Sequence, residues 1–325
     1  MVNITVERND AEQRLDRFLR KYLAHAPLSY IYRAIRKDVK INGRRGKEDT
    51  VIHEGDEITI YISEDEISKL TAVRKAVTAK KQFKIAYEDD NILVAEKPFG
   101  LLTHGDSHEK KNTLANQVVD YLIQKGDYNP RLEKTFTPAP ANRLDRNTTG
   151  LVVFGKTGAA LRSLNSMLRD RDAVSKYYIT VVRGRVEEEL VLRDRLVKNH
   201  EENRVTVIDK DSDEGKSIVT VVRPLETGKW YSLVEAELVT GRTHQIRAHL
   251  RSAGHPLIGD AKYGDRRVNA MVSARYGINT QLLHAYRLVF GDVDGSLSYL
   301  SGMEIRAEIP ESFSKVTAGL VRGKR

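Results

Sequence analysis

The run Asn142-Arg143-Leu144-Asp145-Arg146-Asn147-Thr148-Thr149-Gly150, leading into the apolar residues 151–154, decides how this chain is read. Two arginines flank one carboxylate, and the carboxylate sits at the lip of a segment short enough to be a buried strand. Thr148 and Thr149 can hydrogen-bond locally and hold such a loop, while Gly150 lets the backbone turn tightly. A positioned aspartate can act as a nucleophile or a base. A surface ion-pair loop would use the same residues, so the run alone leaves both open.

A second run lies about a hundred residues on, Thr240-Gly241-Arg242-Thr243-His244-Gln245-Ile246-Arg247-Ala248-His249-Leu250. If it is helical from Thr243, then His244, Arg247 and Ala248 share a face. Arg247 would reach a cleft floor and orient a carboxylate through two parallel hydrogen bonds. A helix with structurally satisfied histidines is the alternative. His244 and His249 are five apart, and His104 and His108 are four apart in a loop with Gly and Asp. No carboxylate or third histidine completes either pair, so no catalytic metal is expected.

Between and beyond these runs the pattern is strand-rich. Residues 85–88 and 92–96 read as paired strands around Asp89-Asp90-Asn91, and Lys97-Pro98-Phe99-Gly100-Leu101 as a break that aims backbone at a cleft. Residues 113–125 read as a helix, and residues 178–182, 218–224, 230–238 and 283–290 as further strands. In a strand opening Lys176-Tyr177-Tyr178 the two rings face opposite ways, one into the core and one free to lie under a base. His284 reads as structural. The loop Gly254-His255-Pro256-Leu257-Ile258-Gly259-Asp260, with Tyr263-Gly264, turns tightly and shapes a wall; its Asp260 reads as structural. With no regular strand–helix alternation and no Gly-rich nucleotide loop, the expected class is α+β, with a mixed, mostly antiparallel sheet and flanking helices.

A smaller α/β unit is expected in front of this core. Leu15, Phe18, Leu19 and Tyr22 recur at helical spacing; Ile31, Ala34 and Ile35 follow Ser29 as its expected cap. Asn42-Gly43 is a turn, and residues 57–62 alternate as a strand. The expected divisions are 1–65, a polar linker 66–82, and 83–325. Residues 14–47 hold eleven Lys/Arg against two acidic residues, which accounts for the whole net charge of +9. Phosphates along a nucleic-acid backbone reward such a face, although a solvated helix surface is also basic.

Composition narrows the classes. The 325 residues are 40% hydrophobic and 30% charged, enough for a large core plus a small domain. The absence of cysteine excludes disulfides, thiolate catalysis and thiolate metal sites, and is compatible with a reducing cytoplasm. No signal-like or membrane-spanning apolar run is found, so a cytoplasmic location without membrane association is expected.

Four separated runs taken together, EKPFGLLTH, NRLDRNTTGLVVFGK, SKYYITVVRG and LVTGRTHQIRAHLRSAGHPLIGDAKYG, with LLHAYRL following, resemble the RluA-like branch of the RNA pseudouridine synthases over about residues 87–310. The segments QRLDRFL, SYIYRAIRKDVKINGR and EGDEITIY resemble the S4-type RNA-binding domain over about residues 13–62. The resemblance implies an isomerase that converts uridine to pseudouridine in RNA with no metal or organic cofactor. With an S4-like unit in front, large-subunit ribosomal RNA is the implied target. RNA is the implied partner, with no obligate protein partner, and a monomer is expected.

By the same resemblance Asp145 is the catalytic carboxylate, Arg247 its basic partner, and Tyr178 the tyrosine that stacks on uracil and helps take the proton from carbon 5. Asp145 would add to ribose or base, or take the ribose 2-proton to give a glycal; both routes stay open. Arg143 would fill the space left by the flipped nucleotide or grip its phosphate, and Ile246 would pack on the uracil's other face. Arg242 and His244 complete the substrate-binding set. Arg17, Ser29, Arg33, Arg36, Lys37 and Asn42 would face RNA. Asn142 stands where the family often has His, and Thr149 where it often has Ser; neither removes the essential carboxylate. Two alternatives make contrary predictions. An inactive RNA-binding or ribosome-assembly factor would bind RNA without isomerising it. A hydrolase would release free uracil, but glycosidases usually pair two carboxylates.

Overall fold

The computed structural model describes residues 1–71, 80–130, 132–169, 173–199 and 204–323. The middle of the expected linker, 72–79, lies outside the described residues.

Two apolar stripes organise the N-terminal unit. The helix Leu15–Tyr22 buries Leu15, Phe18 and Leu19, and the helix Leu28–Lys37 buries Ile31, Ala34 and Ile35. Both pack on a four-stranded antiparallel sheet in the order Val2–Thr5, Glu57–Ile60, Val39–Ile41, Arg44–Arg45. Asn42 and Gly43 close the hairpin with φ of 49° and 76°, the left-handed pair that a two-residue hairpin turn requires. Ser29 is not the cap of the second helix. That helix starts one residue earlier behind Pro27, and no side chain caps it. Proline suits this helix start because its fixed φ and missing N–H sacrifice no helical bond. A third helix, Glu64–Leu70, is capped by Ser63 and returns Ile67 and Leu70 to the same core.

The larger core is built on an eleven-stranded sheet. Its main path runs Arg204–Ile208, Leu190–Asn199, Lys216–Thr227, Tyr231–Leu238, Val174–Arg183, Leu283–Phe290, Thr149–Gly155, Ile92–Lys97, Lys84–Glu88. Every pairing is antiparallel except that of Thr149–Gly155 with Leu283–Phe290, so the sheet is mixed and mostly antiparallel, as expected. Strand periodicity sorts the side chains. Val152 and Phe154 face the helices Leu114–Lys125 and Gln245–Ser252, whereas Leu151 and Val153 face the helix Gly158–Met167. Each such fully buried side chain contributes roughly 1.5–3 kcal/mol of transfer free energy.

The one parallel pairing among these strands places Thr149 against His284 and Gly150 against Ala285. A Cβ on Gly150, whose φ is +108°, would sit 2.0 Å from the Ala285 carbonyl oxygen. Only glycine lets the strands approach this closely, and the Asp145 loop enters the sheet at that point.

The two units meet through residues 9–13. Asp10 is fully buried and accepts hydrogen bonds from the backbone N–H and the hydroxyl of Thr135. Gln13 Nε2 donates to Thr135 Oγ1 at 3.2 Å. Asn9 donates to Glu133 and accepts from the Gly158 N–H at 3.0 Å.

Candidate active site

Asp145 and Arg247, 102 residues apart, meet at 2.9 Å between Oδ2 and Nη1. The Asp145 loop is carried by the strand that begins at Thr149. Thr149 Oγ1 shares a 2.7 Å hydrogen bond with His284 Nδ1, and Thr103 Oγ1 donates to the Leu144 carbonyl at 3.1 Å. Lys97 ties the loop from below: its ammonium donates to the carbonyls of Leu101 at 2.7 Å, Arg146 at 2.9 Å and Pro98 at 3.2 Å. Burial pushes this amine down to about 7, and the Asp145 charge opposes that fall.

Arg247 does not offer its two parallel hydrogen bonds to Asp145. They go to Asp260, from Nε to Oδ2 at 2.6 Å and from Nη2 to Oδ1 at 2.9 Å. Burial opposes ionisation of Asp260, but Arg247 and the N–H groups of Tyr263 and Lys262 hold its carboxyl below the usual range. The guanidinium also lies over the Tyr263 ring, 5.2 Å from its centroid. One Arg247 nitrogen is thereby aimed at Asp145, and among the described residues Asp145 Oδ1 has no hydrogen-bond partner.

The helix carrying Arg247 starts at Gln245 rather than Thr243. His244 precedes it with a left-handed φ of 54°, Nε2 3.8 Å from Asp145 and Nδ1 3.1 Å from the Tyr263 hydroxyl. Gln245 forces the turn. Its Oε1 accepts from Thr240 Oγ1 at 2.8 Å and Arg242 N at 3.0 Å, and its Nε2 donates to the Val219 carbonyl at 3.0 Å. Burial lowers the His244 imidazole, with Arg247 and Lys262 adding to the effect and Asp145 opposing it.

Asp145 and Arg247 border a cavity of about 110 Å³ that Arg143, Tyr178, Ile246 and Leu283 also line. Tyr178 and Ile246 are buried; Arg143 and Arg242 are exposed at the rim. A bulge between Tyr177 and Tyr178 locally re-aims the strand. The rings part as the alternation predicts: Tyr178 lines the cavity, while Tyr177 lies under Arg287 at 3.8 Å. Burial raises the Tyr178 phenol above its usual range, and Asp145 raises it further.

Other expectations resolve as structure. Asn142 accepts from Val153 N at 2.8 Å and donates to the Leu151 carbonyl, so it braces the neighbouring strand. His249 is buried between Thr220 and Asp194. Among the described residues no group of three or more His, Asp and Glu is arranged to hold a metal, and no helix is long and apolar enough to cross a membrane. Arg17, Ser29, Arg33, Arg36, Lys37 and Asn42 all lie exposed on the N-terminal unit.

Residues 91–252 match the RNA pseudouridylate synthase family. Ribosomal large subunit pseudouridine synthase C of Vibrio vulnificus is 34% identical over 324 residues, 98% of this chain and 96% of that protein. The chain belongs to the RNA pseudouridylate synthase family. The Escherichia coli protein of the same description is 35% identical to this synthase over 293 residues, 88% of each chain. Human RNA Pseudouridylate Synthase Domain Containing 4 shares its fold, with a TM-score of 0.56 at 21% identity over 73% of this chain and 92% of that one. The protein is therefore an RNA pseudouridine synthase, an isomerase. Sequence reading left four of the residues that build its site outside the candidate set: Lys97, Asp260, Tyr263 and Gln245. A usable signal existed for Asp260 alone, the second carboxylate in a Gly-bounded turn.

Proposed function

We propose that this synthase isomerises uridines of large-subunit ribosomal RNA, acting as a monomer, with Asp145, Arg247 and Tyr178 as its catalytic residues. The supporting observation is the cavity in which one Asp145 oxygen is held by Arg247 and the other is left for substrate, beside a buried tyrosine. Relatives spanning nearly the whole chain are described as large-subunit enzymes, which supports the choice of RNA.

The target nucleotide leaves its stack, at a cost of a few kcal/mol. Its uracil enters between Tyr178 and Ile246, while Arg143 at the rim takes its phosphate or the space it vacates; Arg242 and His244 hold the entrance. Asp145 Oδ1 attacks the nucleoside or takes the ribose 2-proton, and the bond from ribose carbon 1 to nitrogen 1 breaks. The uracil turns inside the cavity, carbon 5 bonds to carbon 1, and the proton on carbon 5 departs. The resting Tyr178 phenol is neutral, kept so by burial and by the Asp145 charge, so it stacks on the uracil first; it takes the carbon-5 proton only by handing its own phenolic proton to the Asp145 carboxylate once that group is free again. The N-terminal unit, which runs to the end of the helix Glu64–Leu70 rather than stopping at residue 65, is the RNA-binding unit, with Arg17, Ser29, Arg33, Arg36, Lys37 and Asn42 on its RNA face, and remote binding there supports reaction at the centre.

The test is a pseudouridine map of all cellular RNA with the intact protein and with Asp145→Ala. Loss of modified positions in large-subunit ribosomal RNA supports the proposal. Loss confined to transfer RNA overturns the target, and no loss, with no second enzyme covering the same positions, overturns the role of Asp145.

A further inference from the structure

A second basic groove, about 1190 Å³, is lined by residues of the catalytic core alone. Among the described residues its lining carries six cations, Arg183, Arg204, Arg251, Lys262, Arg266 and Arg267, against the single carboxylate Asp265. Asp265 is already committed: it pairs with Arg183 at 2.5 Å and caps the helix Arg266–Tyr276. Arg204 Nη2 donates to the Lys262 carbonyl at 2.8 Å. Arg251, Arg266 and Arg267 are exposed and make no ion pair among the described residues. Burial lowers the Lys262 ammonium, Arg247 and Arg204 lower it further, and Asp145 and Asp260 oppose them.

Trp230, the chain's only tryptophan, also lines this groove and is 66% exposed. Its backbone is fixed, since the Trp230 carbonyl accepts from Gly184 N at 2.8 Å, and Lys229 stands over the ring at 5.3 Å. An exposed indole among cations suits a nucleobase, because base stacking and phosphate contacts then act together. Ala261 and Lys262 line this groove and also the space that holds Asp145, His244 and Arg247. The groove therefore adjoins the space beside Asp145.

We infer that this groove holds the RNA strand flanking the target uridine, with its phosphates on Arg251, Arg266 and Arg267 and one unpaired base stacked on Trp230. The inference rests on the RNA reading above and names a binding surface separate from the catalytic cavity and from the N-terminal unit.

The sole tryptophan makes the test direct. The full-length protein is titrated with deproteinised large-subunit ribosomal RNA while tryptophan fluorescence is followed, and pseudouridine formation is measured in parallel. The expected result is saturable quenching at the RNA concentration that half-saturates turnover. Trp230→Ala should raise KM about ten-fold, within the range of one lost base–aromatic stack, with kcat unchanged, and Trp230→Phe should recover most of the loss. Arg251→Gln with Arg267→Gln should make the salt dependence of affinity shallower by about 0.7 in log–log slope per lost phosphate contact. Unchanged fluorescence at saturating RNA, or unchanged KM in Trp230→Ala and the double arginine variant, overturns the inference while wild-type turnover leaves the parent reading intact. Absence of wild-type turnover, with quenching still seen, would overturn the parent reading and leave the groove as an RNA site.

Discussion

Arg247 grips Asp260 with two hydrogen bonds and reaches Asp145 with one, so the buried pair sets where the partner of the proposed catalytic carboxylate points. Asp260→Asn leaves a buried guanidinium half-compensated, and breaking such a pair costs about 3–5 kcal/mol. Urea unfolding should read that loss, softened by the remaining bond to Asp145. Because the guanidinium also loses its aim, kcat should fall about 100-fold with little change in KM. Full turnover in a folded Asp260→Asn protein would refute the positioning role.

Tyr178→Phe keeps the ring and removes a hydroxyl that bonds no described residue. With no hydrogen bond to lose, stability should stay within about 1 kcal/mol of the parent. If the phenol takes the proton from carbon 5, kcat should drop at least about 100-fold at unchanged KM, the usual worth of a positioned acid–base group. Near-normal kcat would leave Tyr178 with stacking alone, and Tyr178→Leu would then raise KM.

Gly150→Ala should be among the most damaging single-methyl changes in the chain. The added carbon meets the Ala285 carbonyl oxygen at 2.0 Å, and the φ of +108° is itself unfavourable for alanine. Strain of about 1–3 kcal/mol from the backbone conformation adds to the forced separation of the strands. Thermal unfolding and pseudouridine formation should both fall, since the same strand carries Asp145.

His284 gives a pH dependence with a definite sign. Burial brings its ring down to about 4 from an ordinary 6.5, with the Glu308 backbone offsetting part of the fall. Between these values the unfolded chain takes up a proton that the folded chain does not. The contribution is fully present above pH 6.5 and is lost as the pH falls toward 4, at up to about 1.4 kcal/mol per pH unit. His284→Gln should flatten the stability profile over that window. An identical slope in parent and variant would show that the ring does not titrate in this way.

On the N-terminal unit, Arg33→Ala with Arg36→Ala should weaken RNA binding across sequences and flatten its salt dependence by about one log–log unit per lost phosphate contact. Turnover at saturating RNA should be unaffected. Equal affinity at low and moderate salt in the parent protein would remove this face from the RNA interface.

Periodicity and punctuation carried most of the fold. The strand 283–290 was legible to the residue from its apolar and aromatic run, even though its burial does not alternate strictly, and Asn42-Gly43 marked the N-terminal hairpin because few other pairs tolerate two left-handed residues. The strands Leu190–Asn199 and Arg204–Ile208 were not legible: the first carries four charged residues in ten, the second is only five residues long, and both lie at one end of the sheet. The helix start at Gln245 was misplaced by two residues because Gln245 bonds backward to Thr240 and Arg242, a tertiary closure that no helical period reveals. Asp145 stood out as a lone carboxylate between two arginines at the lip of an apolar strand, and Arg247 as a charge between Ile246 and Ala248. Asp260 and Lys97 did not, because their roles depend on partners 13 and 49 residues away.

The junction of Asn9, Asp10 and Gln13 with Glu133, Thr135 and Gly158 gives the proposed RNA-binding unit the character of a caliper jaw. An RNA that touches both the N-terminal face and the Asp145 cavity must present them at one fixed span. Uridines in identical local sequence would then be sorted by their distance, through the folded RNA, from a second feature. Selectivity of that kind is read in the architecture of the substrate and survives wide variation in the nucleotides beside the target.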